Sequence, residues 1–527
     1  MFSDFLVIFQ VVFHHSNCHR NGTSISLSIL NEMKRYFSSL LSLFILMALC
    51  AGSFAQSLPV SFFKERRDAL RSLMPENSVF VVFAYPERTY SGDTDYPYHA
   101  NPDLYYFSGY TDPNAVFLIF KEPQTFKGLD KPVSELLFAQ PSNPNQERWT
   151  GKKMNARQAM EGLGIEAALD AGKFKFFPID FSKYKVIILD LLPEDVRIDI
   201  SNPNDLSHLI AQFREKTGIP KNPTRISLMI NNIVVSRNSP AQKILIDSLL
   251  HEHFNFLLFD RLTSELRQVK TEDELQVLRK AIDITCRGQV EAMKAIDPDM
   301  SEREIQGIQE FMYKKGGAEN VGFPSIVASG NNSCVLHYME NSAEHVGRSM
   351  IVMDVGAEYH GYSGDVTRSV PGNGKFSPEQ LAIYNLVLAA HDSALHQVKA
   401  GFPYDQLDDI GLYVIGTGLI KLGIIKNLWE VQTYYPHGIS HPIGLDVHDK
   451  YLMGTRLKKN MVITLEPGIY IPEGSKCDKK WWGIGIRIED DVLVLDNHGE
   501  VLSGSAPIRP KEIEKLMKMK SPLNQVK

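Results

Sequence analysis

Residues Ser349 to Arg368 read SMIVMDVGAEYHGYSGDVTR. Two β-like runs flank a glycine-containing turn, which predicts a hairpin about His360-Gly361. Folded that way, Asp354 and Asp365 come to lie roughly opposite each other. Two carboxylates held side by side among apolar strand residues are costly unless something positive sits between them. A shared metal ion is the natural partner.

Two further stretches carry carboxylates on strand-like runs. In Met461–Tyr470, MVITLEPGIY, a period of two puts Val462, Thr464 and Glu466 on one face. In Gly483–Asp490, GIGIRIED, the same period puts Ile484, Ile486 and Ile488 on one face and Arg487 and Glu489 on the other. Either strand alone reads as amphipathic with a solvated acidic side. The histidines weigh against that. HGISHPIGLDVH holds His437, His441 and His448 within twelve residues. Their spacing is not that of a helical zinc protease: Gly438 stands where a Glu is needed, and Pro442 and Gly444 break a helix. They belong to a loop or strand, and three in a segment shaped by Gly and Pro favour a site over satisfied core residues. Four carboxylates and one His form an oxygen-rich set that calls for about two divalent ions; Mn²⁺, Co²⁺, Fe²⁺ or Zn²⁺ fit, thiophilic ions do not. Two ions about 3.5–4 Å apart can share a water and bring its pKa toward about 7, the basis of metal-assisted hydrolysis.

Around these stretches the pattern is helical. Thr271-Glu-Asp-Glu274, Ser301-Glu-Arg-Glu304 and Ser377-Pro-Glu-Gln380 are capping boxes, each opening an apolar-periodic run, with Gly316-Gly317 as a stop. Strand-like stretches fall at 350–356, 365–370, 461–466 and 484–494. Upstream, Ser78–Phe83, Ala115–Phe120 and Lys185–Leu189 are continuous apolar runs suited to a sheet covered on both faces. The aromatic-rich segment Tyr96–Tyr110 reads as a packed loop-and-strand rim. Trp481 and Trp482, between two ligand-bearing strands, suit either packing or the shaping of a cleft. A boundary between two regions is expected near residues 256–268.

The chain has 527 residues, 43% hydrophobic and 22% charged, with 56 Lys+Arg against 62 Asp+Glu. That composition excludes wholesale disorder, and the balance of charge removes the basic excess of nucleic-acid binders. Met33–Gln56 has a basic n-region at Lys34 and Arg35, an apolar stretch from Leu40 to Cys50 too short to span a bilayer, and a cleavage site at Ser53-Phe54-Ala55. Residues 33–55 are therefore expected to be a signal peptide, and residues 1–32 to come from an upstream mis-called start. Beyond it lie three cysteines, Cys286, Cys334 and Cys477, which is no disulfide framework and no thiolate metal site.

In this order, the Asp354–Asp365 hairpin, HGISHPIGLDVHD, TLEPGIY and GIGIRIEDD resemble the pita-bread metallopeptidase family, which contains aminopeptidase P, prolidase and methionine aminopeptidase. The resemblance covers roughly residues 260–510. HANPDLYYFSGYTDPNAVFLIF, residues 99–120, resembles the N-terminal domain of aminopeptidase P and prolidase, which methionine aminopeptidases lack. The resemblance implies an α/β (α+β) fold. A smaller creatinase/aminopeptidase-P-like N-terminal domain would span residues 57–256, and a pita-bread catalytic domain residues 260–515.

It implies five metal ligands: Asp354 on one ion, Asp365 and Glu489 bridging two, and His441 and Glu466 completing the other. The two divalent ions would be Mn²⁺ foremost, with Co²⁺, Zn²⁺ or Fe²⁺ as alternatives. Glu466 would double as proton shuttle. His337, in SGNNSCVLHYMEN, would face substrate, His448 would steady the scissile carbonyl oxygen, and His437 would line the same pocket. Arg487 would stand beside the bridging Glu489. No ligand position departs from the family pattern, whereas relatives that became binding proteins have lost ligands. The implied activity is an exported Xaa-Pro aminopeptidase acting on peptides with proline second. An Xaa-Pro dipeptidase is the alternative, and a non-catalytic peptide-binding protein a third reading. A homo-oligomer (dimer or tetramer), no nucleic-acid partner, no membrane span in the mature form and a periplasmic or secreted location complete the expectation.

Overall fold

The computed structural model describes residues 57–198, 202–219 and 253–525. The expected upstream segment and signal peptide lie outside the described residues. Among the described residues, no helix is long and apolar enough to cross a membrane.

The apolar runs of the N-terminal half build one mixed sheet. Its strands are β1 (Ser78–Phe83), β4 (Val116–Gln124), β5 (Val133–Ala139), β6 (Ala168–Asp170), β7 (Val186–Leu189) and β8 (Phe254–Asn255), in the order β6-β5-β4-β1-β7-β8. A small exposed hairpin, β2 (Thr89–Ser91) with β3 (Thr94–Asp95), stands apart from it. Every β1 residue is buried, so the strand must be covered twice. Phe80 and Val82 face one apolar layer together with the helices Val60–Leu73, Pro102–Ser108 and Phe256–Arg267. Val79, Val81 and Phe83 face the other, with Phe181 and the helix Leu206–Thr217. The first layer is continuous with the C-terminal half: Phe80 stacks on Phe259 at 4.7 Å, and the same core takes in Leu278, Ile282 and Tyr362.

The aromatic segment Tyr96–Tyr110 differs from expectation. Pro102–Ser108 is a helix, not loop and strand. Asn101 caps its N-terminus by accepting from the Asp103 and Leu104 amides, Pro102 occupies the first turn, and Gly109 ends it at φ 73°. Cap chemistry and burial of one aromatic face outweigh the β preference of Tyr and Phe.

In the C-terminal half the three expected capping boxes open the helices Glu272–Ala295, Glu302–Gly316 and Pro378–Leu395, each with both reciprocal hydrogen bonds. They flank four small sheets. The first two are β10 (Ile326–Ser329)-β11 (Met350–Val355)-β14 (Val366–Pro371) and β13 (Tyr362–Ser363)-β12 (Ala357–Tyr359)-β9 (Asn320–Val321). The others are β15 (Val462–Leu465)-β18 (Asp490–Val494)-β19 (Gly499–Val501) and the pair β16 (Gly468–Ile471)-β17 (Ile484–Arg487). The hairpin turns where expected, with His360 at φ 49° and Gly361 at φ 81°. Its register, however, sets Asp354 opposite Thr367, not Asp365. A two-residue turn at 360–361 makes paired residue numbers sum to a constant, which leaves Asp365 one diagonal step from Asp354 on the same face.

The stretch 484–494 is likewise two strands. β17 pairs with β16 and β18 pairs with β15, so the chain leaves one sheet and enters another at Ile488-Glu489. Glu466-Pro467 makes the matching crossing between β15 and β16. Pro467 has no N–H to give a ladder, and its carbonyl accepts from Ile488 N at 3.3 Å. Both carboxylates therefore stand where strands change sheets.

Candidate metal centre

All nine residues singled out by sequence line one cavity of about 490 Å³: His337, Asp354, Asp365, His437, His441, His448, Glu466, Arg487 and Glu489. Its remaining wall is largely apolar, with Phe323, Pro324, Ile326, Leu336, Met339 and Val447. Asp354 and Asp365 come from the hairpin and Glu466 and Glu489 from the two crossings. The histidine segment is no helix, in keeping with Pro442 and Gly444: the Thr464 amide donates to His441 O, His441 N donates to Thr464 Oγ1, Pro442 bridges to Ile463, and the chain then turns through Gly444–His448. Neither acidic strand has a solvated side: Arg487 and Glu489 are 3% and 1% exposed. Trp481 packs in the core and Trp482 donates to Ser475 O, both away from the cavity, and Cys286, Cys334 and Cys477 are free thiols.

The carboxylates are under electrostatic stress. Burial and the charge of Glu489 and its neighbours push Asp365 well above the usual carboxylate range; burial with Glu466 and Asp354 does the same to Glu489. Burial lifts Glu466 to about 8, against the opposing pull of Arg487. Asp354 Oδ1, Asp365 Oδ1 and Glu489 Oε1 are buried without a hydrogen-bond partner. Orphaned acceptors of this kind are costly, and positive charge in their midst would remove the cost.

The histidine between them is prepared as a ligand. His441 Nδ1 lies 3.1 Å from the Pro442 carbonyl, which can only accept, so Nδ1 carries the proton and Nε2 offers a lone pair. Nε2 faces Asp365 Oδ2 at 3.5 Å, Glu466 Oε1 at 3.5 Å and Glu489 Oε1 at 3.9 Å. These separations are too long for hydrogen bonds and suit atoms sharing an ion, where ligands at about 2.1 Å stand about 3–3.5 Å apart. Asp365, His441 and Glu489 present ligand atoms that all lie within 4.8 Å of one another. Burial and the nearby His448 hold His441 down at about 4, hence neutral. The donor set thus fits a hard or borderline divalent ion.

Behind the ligands runs a hydrogen-bonded layer of which sequence reading named Arg487 and His437 but not Thr367 or the role of Tyr470. Arg487 Nη2 donates to Asp354, Nη1 to the Tyr470 hydroxyl at 2.8 Å, and Nε to Thr367 Oγ1 at 3.3 Å. Thr367 in turn donates to Glu489 Oε2 at 2.6 Å. The Tyr470 hydroxyl, already accepting from Arg487, donates to His437 Nε2 at 2.8 Å, while His437 Nδ1 donates to its neighbour's carbonyl, Gly438 O. Thr367 and Thr464 had a usable signal: each lies two residues from a ligand carboxylate, on the same side of its strand. Tyr470 had none.

Similarity to known proteins agrees with this geometry. The profile of metallopeptidase family M24 matches residues 276–496, and that of the aminopeptidase P N-terminal domain matches residues 63–181. The Xaa-Pro aminopeptidase of Escherichia coli (strain K12) is 32% identical over 471 residues, 86% of this chain and 97% of that protein. The Haemophilus influenzae Xaa-Pro aminopeptidase is 30% identical over 480 residues, 88% of this chain and 99% of its own length. Among solved structures, E. coli aminopeptidase P with the inhibitor Pro-Leu superposes with a TM-score of 0.71 at 29% identity, covering 88% of this chain and 98% of that one. Pseudomonas aeruginosa aminopeptidase PepP gives 0.71 at 30% identity with the same coverage.

Proposed function

The chain belongs to metallopeptidase family M24, with an aminopeptidase P N-terminal domain before the pita-bread domain, and from that premise we propose that it is an Xaa-Pro aminopeptidase. It would release the first residue of peptides whose second residue is proline. The observation that carries the reading is the complete ligand set, Asp354, Asp365, His441, Glu466 and Glu489, on one cavity with three further histidines. Those five residues would hold two divalent ions, Mn²⁺ foremost, which when bound polarise a carbonyl and acidify water.

The chain's own residues supply the rest. Glu466 takes the proton of the attacking water and delivers it to the leaving proline nitrogen. His448 donates to the scissile carbonyl oxygen as it gains negative charge, and His337 stands on the same substrate side. The Arg487–Tyr470–His437 chain fixes His437 at the cavity wall. Arg487 itself is spent on Asp354, Tyr470 and Thr367, and it is the one Lys or Arg in the lining given by the described residues. Among the described residues, the cavity lining thus offers no free Lys or Arg to a dipeptide's carboxylate. Val447 and His448 also line a second cavity of about 250 Å³, which has His99 and Leu445 in common with a third of about 570 Å³. Cavity space adjoining His448 favours peptides longer than two residues over the dipeptidase alternative.

Export after cleavage near Ala55, a domain boundary near residues 256–268, and assembly as a dimer or tetramer belong to the same proposal. The deciding experiment compares Ala-Pro with Ala-Pro-Ala, in Mn²⁺ and after chelation, with Glu466→Ala as a blank. Cleavage of the tripeptide that both chelation and the substitution abolish is expected. Cleavage of the dipeptide alone makes the enzyme a prolidase. No cleavage of either by metal-loaded protein overturns the peptidase reading.

A further inference from the structure

The cavity histidine His448 has no tether of its own. Its ring packs on His441 at 4.3 Å, it is open to the cavity, and among the described contacts its imidazole makes no hydrogen bond. Its position is therefore set by the backbone of the turn Pro442–Asp449, which closes through Asp449 N to Pro442 O at 2.9 Å and Gly444 N to Asp446 O at 3.1 Å. Two carboxylates of that turn, one on each side of His448, converge on one guanidinium. Arg267 Nη2 donates to Asp446 Oδ2 at 2.6 Å and to Asp449 Oδ1 at 2.5 Å. Its other terminal nitrogen, Nη1, donates to Asp103 Oδ1 at 2.8 Å, on the aromatic helix of the N-terminal half. Lys270 closes the group on Asp449 at 2.6 Å and Lys450 on Asp103 at 3.0 Å.

Arg267 and Asp449 are each 1% exposed at their side chains and Asp103 6%. Burial alone would raise both carboxyls, but Lys450 and Arg267 hold Asp103 below the usual range, and Arg267 and Lys270 do so for Asp449. Burial pushes Asp446 upward instead, with Arg267 opposing it, and the network is directional. Three bonds from one planar guanidinium to three separate carboxylates fix angle as well as distance, which a packed apolar contact would not do.

We propose that Arg267 is a positioning residue: by clamping Asp446 and Asp449 it sets His448 over the scissile carbonyl, and through Asp103 it ties that setting to the N-terminal half. This rests on the reading that His448 touches substrate. A reacting group displaced by about 1 Å can cost on the order of a hundred-fold in rate. The expected signature is thus a fall in kcat with KM little changed.

The test uses the full-length, Mn²⁺-loaded enzyme on Ala-Pro-Ala. Arg267→Lys keeps the charge and loses the fork, but its site is buried and the variant can fail to fold. Asp446→Ala keeps the test open, because Asp446 is 40% exposed and its loss leaves the bonds to Asp103 and Asp449 in place. Asp446→Ala is expected to lower kcat by about ten-fold or more, and Asp446→Asn, which can still accept, to recover part of it. In a His448→Ala background the same change should cost less than about two-fold, because its target is gone. Equal losses in both backgrounds, or no loss in the first, overturn the proposal. Hydrogen exchange over residues 442–450 should quicken in Asp446→Ala, and unchanged exchange also overturns it. A wild type that leaves Ala-Pro-Ala intact overturns the peptidase reading instead, and the exchange experiment still decides the clamp.

Discussion

Thr367→Val removes one hydroxyl from a fully buried position and leaves its volume almost unchanged. That hydroxyl donates to Glu489 Oε2 at 2.6 Å and accepts from Arg487 Nε at 3.3 Å. Glu489 Oε1 has no protein partner, so the substitution strips the carboxylate of the donor that faces it from Thr367. A hydrogen bond to a charged group contributes about 1.5–3 kcal/mol, and the longer bond from Arg487 less than about 1. The Thr367 bond also opposes the upward push that burial, Glu466 and Asp354 exert on Glu489, so its loss strengthens proton competition at a ligand. Disturbing such a supporting bond typically costs 10–100-fold in metal affinity. We expect Mn²⁺ titration of the chelated protein at neutral pH to show that loss, with Thr367→Ser close to wild type. The melting temperature of the metal-free variant should fall in parallel. Affinity within about two-fold of wild type, with stability unchanged, would refute the inference that this layer holds the ligand ready.

Four other outcomes follow from the structure. Tyr470→Phe leaves Arg487 Nη1 and His437 Nε2 without their shared oxygen; tripeptide turnover should fall about ten-fold, roughly 1.4 kcal/mol, with metal content by atomic absorption unchanged. Gly356→Ala puts a Cβ 1.9 Å from the Gly364 carbonyl, backbone against backbone between two ligands, and should cost more than about 4 kcal/mol in thermal melts. Gly162→Ala, with nothing within 4 Å on the helix Ala156–Leu163, should gain about 0.5–1 kcal/mol. Finally, the carboxyls of Asp365, Glu466 and Glu489 are raised on folding, so the metal-free native state binds more protons than the unfolded chain above about pH 4.5. The slope of stability with pH is then negative, and melting of the chelated protein should fall as pH rises from about 5 through about 8. Excess Mn²⁺ should abolish that decline; a flat profile without metal would show that the carboxylates carry no such stress.

The site's residue types were legible because they are expensive. Carboxylates at Asp354, Asp365, Glu466 and Glu489 interrupt runs of Val, Ile and Met that only burial explains, and a buried acid needs a partner. The capping boxes at Thr271, Ser301 and Ser377 were legible for a different reason: they act within four residues, so no tertiary contact has to be guessed. Distance along the chain defeats such reading. Asp354 and Asp365 share one face of the hairpin, but the turn at His360-Gly361 sets Thr367, not Asp365, directly opposite Asp354. The helix at Pro102–Ser108 was hidden by side chains that prefer strands, although Asn101, Pro102 and Gly109 were its start and stop.

What no local pattern carries is the change of partner. The run from Ile484 to Val494 reads as one strand-like stretch, yet it belongs to two sheets, and so does the run from Val462 to Ile471. At each break one residue is released from ladder geometry, and at each break that residue, or its neighbour, is a carboxylate: Glu489 after Ile488, and Glu466 before Pro467. A ladder residue has its side-chain direction fixed by the pleat, alternating strictly with its neighbours. A residue at a crossing escapes that rule and can be aimed by hydrogen bonds instead, as Glu489 is by Thr367 and through the backbone bond to Thr367 O at 3.1 Å. Four carboxylates from separate strands can then converge on one volume without any strand giving up its apolar face. The converging acids are what the sequence displays, and the crossings that let them converge exist only once the sheets have paired.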